Sequence, residues 1–187
     1  MLDRPGFANP VDDAQACFRA VLDAMSRPGR ILTVGASLDP PPPLQPAAAA
    51  VLLTLVDVDT PVWLDPALAG GWPWLAFHCG AGAAGLDAAA FVVSDTLPSL
   101  DALHRGTDEA PEAGATVLLQ LPRLGAGRPW RLDGPGLPGP ATAAIEGLPD
   151  DFAPIWQANR ALFPRGVDLL LCSGESLMAL PRTVAVG

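Results

Sequence analysis

Arg182 is the side chain of this sequence best suited to chemistry on an anion, because a guanidinium presents a rigid fork of N–H donors that matches a carboxylate or phosphate two bonds at a time. It lies in Pro181-Arg182-Thr183, directly after one short apolar run, while Arg165 and Asp168 lie at the entry to another. Ser173-Gly174-Glu175 separates the two runs. Each run is too short for a typical helix and is fenced by Pro or Gly, which predicts two antiparallel strands joined by a tight turn. Such a hairpin gathers Arg165, Asp168 and Arg182 at its open end. Two readings of Arg182 follow: an anion contact or subunit interface, and an ion pair with Asp168 that closes the hairpin. Glu112, on a loop entering a strand, is placed to reach a ligand or to bond backbone amides. Asp57 and Asp59 could form an acid/base or metal pair, but Thr60-Pro61 directly after them favours a turn.

Other polar residues have plainer explanations. His78 and His104 are the only histidines, and neither has a second His or a near carboxylate at metal or triad spacing. His78 reads as a satisfied residue at a strand end and His104 as solvated. Gly80-Ala81-Gly82-Ala83-Ala84-Gly85 matches the glycine pattern of dinucleotide sites and follows an expected strand. The interval from Gly85 to Asp95 must itself hold a strand, which leaves no room for a phosphate-facing helix, so a mobile Gly/Ala loop is the better reading. Gly-x-Ser-x-Gly is absent. All 11 basic residues are Arg. Without Lys there is no Schiff base, hence no covalent pyridoxal phosphate (PLP) cofactor, and no Walker-type nucleotide loop.

The elements that must position these residues follow from periodicity. Asp12 and Gln15 have capping-box spacing and predict a helix start, with Cys17, Phe18, Val21, Leu22 and Met25 on one stripe and Pro28-Gly29 as the stop. Short strands are expected at 30–34, 62–64, 75–78, 90–93 and 116–121, with 130–132 pairing beside the last. Pro40 to Pro43 read as an extended surface connection. The Ala-rich stretch 46–56 predicts a buried helix, and Ser99 could cap a brief one. A further amphipathic helix from Asp151 should bury Phe152, Ile155, Trp156, Asn159 and Phe163. Helices alternating with short apolar strands predict an α/β domain, a mixed sheet covered by helices.

With 187 residues the chain is expected to form a single domain, 1–187. A net charge of −9 argues against nucleic acid as a partner. The apolar run 47–56 is far below the ~20 residues that cross a bilayer, so no membrane span is expected. The first residues lack the pattern of a secretion signal, and a cytoplasmic protein is the expectation. Cys17, Cys79 and Cys172 are odd in number, lack metal spacing and have apolar neighbours, which predicts buried free thiols.

Several stretches in one order carry a resemblance: Pro10-Val11-Asp12-Asp13-Ala14-Gln15, Ala24-Met25-Ser26-Arg27-Pro28-Gly29, Thr60-Pro61-Val62-Trp63-Leu64, Pro111-Glu112-Ala113-Gly114-Ala115-Thr116, Gly166-Val167-Asp168-Leu169 and Leu180-Pro181-Arg182-Thr183. Together they are similar to the family of H subunits of bacterial carbon-phosphorus lyase, PhnH. The resemblance implies a three-layer α/β/α architecture like the large domain of PLP-dependent transferases, without PLP. It also implies a homodimer or a place among the G, I, J and L subunits. The implied function is an accessory subunit, not catalytic alone, of an enzyme complex that transfers an alkylphosphonate onto the ribose of ATP with release of adenine. The residues alone leave a rival: a self-sufficient enzyme or binding protein for a small anion, using Arg182 with Asp168 or Glu112.

Overall fold

The computed structural model describes residues 4–187. In chain order its first half holds α1 (Pro10–Ser26), β1 (Leu32–Thr33), α2 (Pro46–Leu55), β2 (Pro61–Leu64), α3 (Trp72–Cys79), β3 (Gly82–Ala83) and β4 (Phe91–Ser94). The second half holds β5 (Thr116–Gln120), β6 (Arg123–Asp133), β7 (Ala141–Glu146), α4 (Phe152–Arg160), β8 (Asp168–Ser173), β9 (Ser176–Leu180) and β10 (Ala185–Val186). Seven strands form one mixed sheet in the order β1-β9-β8-β5-β4-β2-β3. Pairing is parallel from β8 through β5, β4 and β2 to β3, and antiparallel where β9 meets β8 and β1. A smaller antiparallel sheet has the order β10-β6-β7.

The central strands are apolar on both faces, as parallel strands covered on both sides must be. Side chains alternate between faces: in β5, Leu118 joins a core with Cys17, Ala47 to Leu52, Trp74 and Leu170, whereas Val117 and Leu119 join Trp130, Ile145, Phe152, Trp156 and Leu171. The first face is thus packed against residues of α1, α2 and α3, and the second against α4 together with the small sheet. Full burial of each such Leu, Val or Phe contributes about 1.5 to 3 kcal/mol.

Local chemistry explains where expectation and structure part. α1 starts two residues before the expected capping box, because Pro10 suits the first helical position and the backbone N–H of Asn9 donates to the Asp13 carboxylate at 2.9 Å. Its buried stripe is Cys17, Val21 and Ala24, facing α2 and β9, while Phe18 and Leu22 stay exposed. The expected strand 75–78 is α3. Pro73 lies in its first turn and Gly80, at φ 67°, closes it in the left-handed conformation, so aromatic content was the weaker signal. Part of the Gly/Ala segment then pairs with β2 as β3, so it follows a helix and not a strand. Residues 130–132 do not flank β5. They belong to β6, whose register shifts between Leu124 and Arg128 and whose partner β7, rich in Ala, gave no strand signal. Pro40 and Pro41 are buried, and Phe163 is 65% exposed, beyond the end of α4. Ser99 precedes a single 3-10 turn, Leu100–Ala102, without capping it.

Candidate functional site

The hairpin is β8 and β9. Leu169 lies opposite Leu180 and Ser173 opposite Ser176, which leaves Gly174-Glu175 as a two-residue turn. Gly174, at φ 56°, takes the first turn position, where such a loop favours glycine. This register fixes the open end. The Asp168 carboxylate accepts the backbone N–H of Arg182 at 2.7 Å, its Nε–H at 3.2 and 3.1 Å, and its Nη2–H at 2.6 Å.

The other guanidinium nitrogen is also engaged. Nη1 donates to the carbonyl of Pro111 at 2.7 Å and, at a longer 3.4 Å, to that of Pro164. Arg182 therefore ties four segments together: the exit of β9, the entry of β8, the 3-10 turn Pro111–Ala113 and the bend before β8. The side chains of Arg182 and Asp168 are only 12% and 15% exposed. Gly114 makes room for them, since a Cβ there would collide with the Gly166 carbonyl and sit 3.1 Å from Nη1. With Asp168 and two carbonyls bound, at most one guanidinium N–H is left over, too few for a two-bond grip on a further anion.

The other candidates stay apart. Arg165 pairs with Asp108 at 3.2 Å, with 45% and 72% of the two side chains exposed. Glu112 lies in the 3-10 turn, but its side chain is exposed, and among the described residues it has no ion-pair partner. Asp57 forms the turn before β2: its Oδ1 accepts the Thr60 hydroxyl at 2.7 Å and the Asp59 amide at 3.1 Å. These bonds, the hydroxyl first, hold its carboxyl below the usual carboxylate range. Two strands, β5 and β4, separate β2 from β8, a gap of about 14 Å at the usual strand spacing, so Asp57 does not join the Arg182 cluster.

At the opposite edge, where the parallel strands end and α/β sheets commonly hold ligands, the polar groups are satisfied internally. Buried Gln120 accepts the amide of Gln45 at 2.7 Å and donates to the Pro43 carbonyl at 3.2 Å. Ser94 donates to Asp65 at 3.0 Å. These residues escaped notice in the sequence. Their signal is a polar residue closing an apolar strand, as Gln120 closes Val117-Leu118-Leu119. Asn159 makes two bonds to the backbone of Val167, fixing the approach to Asp168.

Little else offers reactivity. A cleft of about 690 Å³ between residues 97–105 and α4 is lined by apolar Leu97, Leu100, Ile155 and Leu162 and by Arg105, which is already paired with Asp101 at 2.9 Å. Burial pushes the Cys79 thiol up to about 11 and raises those of Cys17 and Cys172, which makes them poor nucleophiles. His78 sits in α3 with Nε2 3.2 Å from the Arg4 carbonyl, and exposed His104 has Nδ1 2.7 Å from the Ala113 carbonyl. Among the described residues no three His, Cys, Asp or Glu side chains converge as a metal site, and no helix is long and apolar enough to cross a membrane.

Comparison with known proteins extends across this whole framework. The family model described as bacterial phosphonate metabolism protein (PhnH) matches residues 5–187. The alpha-D-ribose 1-methylphosphonate 5-triphosphate synthase subunit PhnH of Rhizobium meliloti (strain 1021) is 43% identical over an alignment of 183 residues that covers 95% of this chain and 92% of that protein. The putative C-P lyase subunit protein HtxG of Stutzerimonas stutzeri is 36% identical over 177 residues, 92% of this chain and 85% of that protein. A match of this extent, running from the start of α1 through the Arg182 clamp, shows that the chain belongs to the PhnH family of bacterial phosphonate metabolism proteins.

Proposed function

We propose that this chain is an accessory subunit of a carbon-phosphorus lyase system, supporting transfer of an alkylphosphonate onto the ribose of ATP with release of adenine to give ribose 1-phosphonate 5-triphosphate. The observation that carries the reading is the 43% identity to a subunit of the methylphosphonate ribosyl triphosphate synthase over 95% of the chain. The geometry supports an accessory role. Its best anion-binding arginine is occupied by Asp168 and two backbone carbonyls, and its thiols are raised by burial. On this reading the chain works in the cytoplasm without PLP, associates with itself, and offers surface to the G, I, J and L subunits. Its large mixed sheet is then a relative of the large domain of PLP-dependent transferases.

Co-expression with those subunits tests the proposal. The purified complex, given ATP and methylphosphonate, should release adenine, measured by chromatography, and omission of this chain should abolish the release. Undiminished release without it would overturn the accessory reading. Turnover of the same substrates by this chain alone would replace that reading with a self-sufficient enzyme.

A further inference from the structure

α1 buries one face and leaves a second apolar face uncovered. Val11, Phe18 and Leu22 are 65%, 46% and 53% exposed, and with exposed Gln15 they follow a spacing of four, three and four residues. At 100° per residue these four positions fall within an arc of about 60°. That arc is about a third of a turn from the stripe of Cys17, Val21 and Ala24 that packs on α2 and β9. A strip with this spacing is the seam by which one helix lies along another. Among the described residues, nothing covers the exposed halves of Phe18 and Leu22.

The charges beside the strip identify the second helix. Asp12 and Arg19 are seven residues apart on the same flank, and among the described residues neither has an ion-pair partner: Asp12 accepts from the Asn9 side chain and Arg19 reaches only Gln15 at 3.5 Å. Asp23, further round the helix, is already paired with Arg27 and Arg30. If two copies of α1 lie antiparallel about a two-fold axis between residues 16 and 17, Val11 meets Leu22 of the second copy and Gln15 meets Phe18. In that arrangement the same flanks of the two helices face each other. Asp12 then lies within about 3 Å, along the axis, of the level of Arg19 in the second copy, and the reciprocal pair forms at the other end. A helix whose strip and flanking charges are both self-complementary under one two-fold rotation fits a second copy of itself better than an unrelated partner.

We infer that α1 is the self-association surface of this protein, pairing antiparallel with α1 of a second copy through Val11, Phe18 and Leu22 with reciprocal Asp12–Arg19 ion pairs. The inference rests on the self-association proposed above and gives it a location. Sedimentation and native mass spectrometry of the full chain test it. The wild type should be dimeric, and Phe18→Asp with Leu22→Asp should raise the dissociation constant at least ~10-fold, an effect expected of apolar residues at the centre of an interface. Both side chains are half-exposed, so circular dichroism should show the variant folded. Asp12→Arg and Arg19→Asp should each weaken the dimer, and the double exchange should restore it, which a merely structural role of either residue does not predict. A dimer indifferent to Phe18→Asp with Leu22→Asp overturns the α1 surface and leaves self-association standing. A monomeric wild type overturns both, while the accessory role stands or falls on adenine release alone. An unchanged dimer that no longer enters the complex with the other subunits also overturns the inference and assigns the strip to one of them.

Discussion

Two Arg–Asp pairs lie near the entry to β8, and they differ in almost everything except their chemistry. Arg182 and Asp168 meet through several bonds, the shortest 2.6 Å, with side chains 12% and 15% exposed, while Arg165 and Asp108 meet once at 3.2 Å with 45% and 72% exposed. The exposed pair keeps its water, so formation changes little and salt screens it. The sheltered pair has given up most of its water, so each partner depends on the other. Charge type therefore says less about an arginine's role than the number of donors the fold has already occupied.

The contrast can be broken by measurement. Arg182→Ala should cost roughly 3 kcal/mol in urea unfolding, because it strands the Asp168 carboxylate and releases the Pro111 turn. A loss below about 1 kcal/mol would place the pair with the surface bridges. Gly114→Ala should cost about 1 to 3 kcal/mol by pushing a methyl group onto the Gly166 carbonyl and the guanidinium, and a melting temperature equal to wild type would show that the clamp has slack. Arg165→Ala should lie within about 0.5 kcal/mol of wild type, and what difference there is should shrink as salt is raised. A larger effect would mean that Arg165 has a role its exposed pairing with Asp108 does not reveal.

The clamp was legible as a location before its geometry was known. Two apolar runs around a glycine turn bring Asp168 and Arg182 together whatever else the chain does, since hairpin register is a local property. What could not be read was the third partner. The Pro111 carbonyl is 71 residues from Arg182 in sequence, and no side-chain identity announces a backbone acceptor. α2 was recoverable because six consecutive buried Ala, Val and Leu residues favour only a helix of that length. α3 was mistaken because Trp74, Leu75 and Phe77 fit a strand as well as a helix when the run is short. In α1 the apolar residues of two separate faces lie side by side on the helix, and periodicity merges them into one stripe. Only burial distinguishes Val21, which the fold covers, from Leu22, which it leaves open.

The tip of the hairpin matters for the order in which the molecule can be assembled. The Gly174 carbonyl accepts the N–H of Ala47 at 2.8 Å, the Gln45 side chain accepts the N–H of Gly174 at 2.9 Å, and the Glu175 carbonyl accepts the N–H of Val34 at 2.8 Å. The first turn of α2 thus borrows its cap from a loop more than a hundred residues later in the chain. A ribosome delivers α1, β1 and α2 long before that loop exists, so the apolar surface of α2 has no finished site while most of the chain is being made. The first turn of the nascent α2 therefore lacks its native cap until the hairpin tip has been made.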